Sequence, residues 1–187
     1  MIDEELWRTG IAALAREYGA LSPTLRERVV DLAAQVREAK QAIHDCVATV
    51  NACGICADCG GECCARGKNH VTVIDLLVYQ VEGRELVSPR FDHDLCPYLG
   101  ENGCQMAPSY RPFTCIIFNC DRVEGLMAPA EKDRFYKAEH RLRAVYGEFE
   151  KLFGKRFMAG LLITCERDLV RQGATLLGMG SSGTKEN

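Results

Sequence analysis

Apolar residues recur through the first fifty positions at alternating steps of four and three. From Trp7 they run Trp7, Ile11, Leu14, Tyr18 and Leu21, the seam of a helix packed along a neighbour. Gly19 offers a stop. Ser22 and Pro23 read as the N-cap and first residue of a second helix, with Thr24 and Glu27 as an alternative capping box. Its seam is Leu25, Val29, Leu32, Val36, Ala39, Ile43, Cys46 and Val50, which leaves Arg26, Arg28, Glu38 and Lys40 on the solvent side. Two antiparallel helices joined near residues 20–22 follow, and the short connection favours an intramolecular bundle over a dimerisation coiled coil. A dimer is therefore possible but not indicated. Helical phasing returns at Phe135, Ala138, Leu142, Val145, Phe149 and Leu152, breaks at Gly154, and resumes in an apolar stretch over 161–177.

The middle of the chain has no such period. Residues 51–70 combine five cysteines with Gly54, Gly60, Gly61 and Gly67, a composition that disfavours helix and strand and suits a backbone folded tightly around something. Thr72 caps a short helix, VIDLLVYQ, ended by Gly83. Residues 87–122 hold four more cysteines and four prolines, so order there has to come from something other than periodic burial. The expected fold is mainly α, a helical bundle flanking an irregular cysteine-rich metal-binding core. Its parts are a helical hairpin over 1–50, the cysteine core over 51–122, C-terminal helices packing on that core over 123–178, and a mobile Gly/Ser-rich tail over 179–187.

Composition narrows the function. The chain has 187 residues, 47% of them hydrophobic, enough for one domain with a real core. A net charge of -3 offers no basic face for phosphates, so nucleic acid is not expected as a partner. MIDEELWRTG lacks the basic and apolar regions of a secretory signal, and the most apolar stretch, FMAGLLIT, falls short of the ~20 residues that cross a bilayer. The expectation is a cytoplasmic protein with no membrane span. Eleven cysteines in a reducing compartment cannot be counted on to form lasting disulfides, which makes metal ligation their leading use and disulfides the alternative. Cys46, at a seam position, reads as a small buried apolar residue.

Cys53, Cys56, Cys59 and Cys63 follow C-x2-C-x2-C-x3-C, the spacing by which bacterial ferredoxins wrap thiolates around an iron–sulfur cluster. Ferredoxins, however, place proline after the fourth cysteine, and here Cys64 follows. The second stretch supplies Cys96, Cys104, Cys115 and Cys120. Taken in order, Cys56 and Cys59, the Cys63–Cys64 pair, Cys96-Pro97 with Leu99, Gly103-Cys104, and Arg111-Pro112 with Cys115 resemble the YkgJ-like cysteine-cluster family of zinc- or iron-chelating domains, whose pattern is CxxC, CC, CPxL, C and RPxxC. The resemblance covers residues 56 to about 120. Three residues rather than two separate Cys59 from the CC pair, Cys53 is an additional neighbour whose role stays open, and Cys120 is the candidate for the family's last cysteine.

That resemblance implies metal ligands among Cys56, Cys59, Cys63, Cys64, Cys96, Cys104, Cys115 and Cys120. Thiolates are soft ligands and select iron–sulfur clusters, zinc or copper(I) over magnesium and calcium. The first four cysteines favour an iron–sulfur cluster over zinc. Four thiolates leave a formal charge of about -2 on either centre, and Arg111 is the candidate cation to offset it. Eight candidate thiolates exceed what one centre needs, so either two centres form or several cysteines stand outside the ligand set. His70 and His93 read as solvated loop histidines rather than ligands or bases. The expected function is a metal-binding protein with a redox or accessory role and an unidentified protein or redox partner. The alternatives are a zinc-stabilised interaction module and, because flagellin lysine methylases carry a similar cluster, a methyl-transfer or redox enzyme.

Overall fold

The computed structural model describes residues 2–59, 64–92 and 95–178. The chain is mainly α. Helix α1 spans Asp3–Gly19 and α2 spans Pro23–Ala48, where Ser22 Oγ accepts from the Leu25 amide at 3.3 Å and Pro23 opens the first turn. The cap is thus the Ser22-Pro23 pair. Helix α3 spans Ala52–Asp58 and α4 Val73–Val81. Strands β1 (Leu99–Gly100) and β2 (Gly103–Cys104) pair antiparallel, Leu99 opposite Cys104. After them come α5 (Phe113–Ile117), α6 (Asp121–Glu124), α7 (Pro129–Phe153) and α8 (Leu161–Thr164), the last running into a π turn over Cys165–Val170. Among the described residues no helix is long and apolar enough to cross a membrane.

Both N-terminal seams are buried, but not against each other. Val29, Leu32, Val36, Ala39 and Ile43 of α2 are fully buried, and α2 packs along α7. The surface pairs Arg28–Glu148 at 3.8 Å and Glu38–Arg141 at 3.3 Å show the two helices to be antiparallel. Helix α1 instead packs on α4, α8 and the π turn. Gly10 explains the preference, because a Cβ there would lie 2.5 Å from Cys165 Sγ and 3.1 Å from Leu161. The expected hairpin of 1–50 is therefore opened out, each helix finding its partner near the C-terminal end of the chain. The seam rule identified the faces; it carried no information about which faces meet.

Two further expectations are corrected. Residues 52–58 form α3 despite their glycine and cysteine content, starting from Asn51 in a left-handed conformation at φ 54°. The last apolar stretch is helical only to Val170. Gly173 turns the chain at φ 61°, and the amides of Leu176 and Leu177 donate to the Glu17 carboxylate at 2.9 and 2.7 Å. The short helix after Thr72 forms as expected, with a reciprocal Thr72–Asp75 capping box and Gly83 at φ 58° beyond its end. Residues 179–187 lie outside the described residues.

The largest departure is Lys40. It is wholly buried, one residue beyond seam position Ala39, in a second row with Ala33 and Val47. Its Nζ meets Asp75 Oδ1 of α4 at 2.5 Å, and the Tyr146 hydroxyl of α7 donates to the same oxygen at 2.7 Å. Asp75 Oδ2 accepts from the Thr72 amide and hydroxyl, both at 2.8 Å. A buried carboxylate with four donors is well satisfied, and the group ties α2, α4 and α7 together. Burial and the Asp75 charge hold the Tyr146 phenol well above its ordinary value, so it stays a donor. Asp168, in the π turn, is buried beside Lys155 at 2.6 Å and Arg167 at 2.5 Å. The Arg167 hydrogen bond outweighs desolvation and, with Lys155, holds this carboxyl down to about 2.

Two predictions follow from these buried charges. Lys40→Met leaves the Asp75 carboxylate buried without its cation, a change that costs about 3–5 kcal/mol; urea denaturation reads it, and a loss within experimental scatter contradicts the assignment. Asp168 ionises more readily folded than unfolded, so its contribution is full above about pH 4 and fades as pH falls towards the folded value. Asp168→Asn should accordingly melt below wild type at neutral pH, with the difference closing under acid; a constant difference would refute the pairing.

Candidate metal centre

The cysteines of the two stretches divide by exposure into an outer and an inner layer: Cys53 and Cys56 are exposed, Cys96 is buried, and Cys59, Cys64, Cys104, Cys115 and Cys120 lie between. Helix α3 carries the outer one. Cys53 and Cys56, three residues apart, share a helix face and are exposed. Cys59, at the C-cap, donates its thiol to the Cys56 carbonyl at 3.2 Å. Helix α3 packs on β2 and on α6, and Cys120 is the N-cap residue of α6. Gly103 calls for glycine through its φ of 96° in the β-turn, and it lies against Ala57 of α3, whose Cβ a side chain there would meet at an ordinary 3.6 Å. Arg111 reaches the outer layer: its Nε donates to the Met106 carbonyl at 3.2 Å and its Nη2 lies 3.9 Å from Cys53 Sγ.

The inner layer is built from four separated positions. Cys96 is buried, and its carbonyl accepts from the Leu99 amide at 3.0 Å in the turn that leads into β1. Burial raises its thiol and Cys104 raises it further, while the backbone amides of Tyr98 and Leu99 oppose them by hydrogen bonding to sulfur. Gly67 leaves room for this cysteine, because a Cβ at Gly67 would fall 2.7 Å from the Cys96 Cβ and closer still to Sγ. Cys104 ends β2 and is partly buried. Cys115 is carried by α5, which is anchored by Phe113 packed on Tyr146 with ring centroids 4.6 Å apart. Burial pushes the Cys115 thiol well above its ordinary value, and Cys96, Cys104, Asp75 and Cys64 add to the shift by charge repulsion.

One nitrogen joins this layer. His70 follows the 3-10 turn Gly67–Asn69, and its Nδ1 lies 3.2 Å from Cys115 Sγ. Burial disfavours its charged form. The expectation of a solvated loop histidine fails here, and no local signal could have corrected it, because the contact spans 45 positions of sequence.

Of the sequence-derived candidates, Cys64, Cys96 and Cys104 each act electrostatically on Cys115, and Cys104 also acts on Cys96. Cys56 and Cys59 stand with Cys53 on α3 and its C-cap, and Cys120, partly buried against the core, is the N-cap residue of α6. Cys63 and His93 lie outside the described residues. Arg111 stands beside Cys53 rather than inside the inner set. Cys46 is buried on α2 and donates to the Ala42 carbonyl at 3.3 Å, in keeping with a packing role. Cys46, Cys53, Cys59, Cys96, Cys104, Cys115, Cys120 and Cys165 are free thiols. Among the described residues, no three His, Cys, Asp or Glu side chains are drawn into a ready-made metal-holding group.

The donor set nevertheless suits a soft metal: sulfur ligands, backbone amides directed at one of them, and a glycine where a side chain would intrude. An ionised thiolate is a poor guest in so buried a place unless its charge is shared with a cation. Comparison with known proteins places the chain in no group, for it matches no family model, no curated protein and no solved structure.

Proposed function

We propose that this chain is a metal-binding protein whose Cys64, Cys96, Cys104 and Cys115 thiolates ligate one inorganic centre, an iron–sulfur cluster in the first reading, in a redox or accessory role. The observation that supports this reading is that Cys64, Cys96 and Cys104 each act electrostatically on the Cys115 thiol, which burial already disfavours as an anion. Buried thiols that raise one another's pKa values are destabilising when ionised, and a metal that displaces their protons turns the same repulsion into ligand attraction. The likeness of the cysteine pattern to the YkgJ-like family supports it independently. The cluster would supply one-electron chemistry; the chain would supply thiolate ligands, the Tyr98 and Leu99 amides that offset charge at Cys96, and burial that restricts water.

Zinc is the second reading, favoured by α3. A ferredoxin-like wrap needs Cys53, Cys56 and Cys59 to converge from a loop, whereas a helix strings Cys53 and Cys56 along its exposed side. The inner four thiols alone would then supply the four sulfur ligands that structural zinc takes.

Anaerobic purification followed by metal and sulfide analysis separates the two readings. Iron with acid-labile sulfide and a visible absorption bleached by dithionite supports the cluster; stoichiometric zinc without colour supports the second reading; a protein with neither contradicts both. Cys96→Ser and Cys104→Ser should each release the metal and lower Tm together, because binding free energy is folding free energy. Cys53→Ser should retain the metal. The reverse pattern would move the centre to the outer layer.

A further inference from the structure

We propose that His70 is a positioning residue for this centre, donating a hydrogen bond from Nδ1–H to the Cys115 sulfur and so setting the electronic character of the bound metal. The inference rests on the reading of the inner cysteines as ligands, and extends it to a residue outside the sulfur set.

The backbone fixes His70 from both sides. Its amide donates to the Gly67 carbonyl at 3.1 Å. The next residue, Val71, accepts from the Leu161 amide at 2.6 Å, and Thr72 bridges antiparallel to Gly160. A Cβ at Gly160 would collide with the Asn69 carbonyl, so this closure depends on glycine. The ring is therefore held against Cys115 by the junction with α8 rather than by a mobile loop. The same Gly67 turn packs on Cys96, which places one short segment, 67–70, against two inner cysteines.

Chemistry assigns the direction of the bond. Neutral imidazole has one N–H and one lone pair. A metal-bound thiolate can only accept, so a contact from Nδ1 to Cys115 requires the proton on Nδ1 and leaves the lone pair on Nε2. The need for a donor is acute at this cysteine. Among the described residues the groups that act most on Cys115 are Cys96, Cys104, Asp75 and Cys64, and Arg111 lies at Cys53. A hydrogen bond to sulfur lowers the energy of its lone pairs. It therefore raises the energy of sulfur-to-metal charge transfer and favours the reduced state of a redox centre.

Three variants of the metal-loaded protein test the inference: His70→Ala, His70→Asn and His70→Cys. Asparagine places an amide N–H where Nδ1–H stands but is a poor soft-metal ligand, whereas cysteine can ligate but donates only weakly. The readouts are metal content, the energy of the charge-transfer band (with cobalt(II) replacing the metal if it is zinc), and the rate of metal loss to a chelator. His70→Ala should still load metal, with its band at lower energy and release about 10–100-fold faster, and His70→Asn should restore both. An unmoved band in His70→Ala overturns the inference while leaving the metal reading intact. Rescue by cysteine but not asparagine overturns it in favour of direct ligation. A wild-type protein that binds no metal removes the metal reading and this inference together.

Discussion

The Asp75 carboxylate is the point on which the architecture turns. It closes the first turn of α4, takes the Lys40 ammonium from α2 and the Tyr146 hydroxyl from α7, and does so out of contact with water. Desolvating a lysine and an aspartate is expensive, and a buried pair repays that cost only when the geometry is good and the remaining lone pairs are satisfied. Here three helices that never adjoin in sequence must each place one group correctly for the pair to exist. The network therefore works as a register device as much as a source of stability, and it defines the floor on which the cysteine-bearing segments rest.

Those segments need such a floor. Between Leu86 and Val123 the described elements are two-residue strands, a 3-10 turn and helices of four or five residues, and a helix so short is not stable by itself. What holds them is attachment to the frame. Phe113 packs on Tyr146, and Tyr110 packs on Tyr79 with ring centroids 5.0 Å apart while its hydroxyl bonds Glu82. Trp7 of α1 packs edge-on to Phe91 and against Tyr98. Aromatic residues thus fasten the loops at intervals, and the thiols of Cys96, Cys104 and Cys115 occupy the spans between fastenings. Asp75 influences Cys115 electrostatically as well, so the charge that orders the helices also bears on the site.

The helices and their apolar faces could be read from the sequence because periodic burial is a local signal. Thr72 announced the start of α4, and Gly154 marked the end of α7 at φ 63°. Partner choice was not legible in the same way. The α1 and α2 seams fit each other as patterns, and only Gly10 against Cys165, some 150 positions away, shows why α1 turned elsewhere. Lys40 was misplaced for a related reason. Period alone puts it at the edge of the stripe, and a lysine at the edge is normally solvated; burial required a carboxylate from a helix 35 positions later. Cysteine spacing could not sort exposed thiols from buried ones, since Cys53 and Cys56 are exposed on a helix that the spacing did not announce. His70 was legible only through Cys115.

The central claim is that sulfur atoms from separated segments close on one inorganic centre above that frame. X-ray absorption at the metal edge of the purified protein tests it most directly. The account predicts a first shell of sulfur scatterers alone, the same in the Cys53→Ser protein; a shell dominated by nitrogen or oxygen would contradict it.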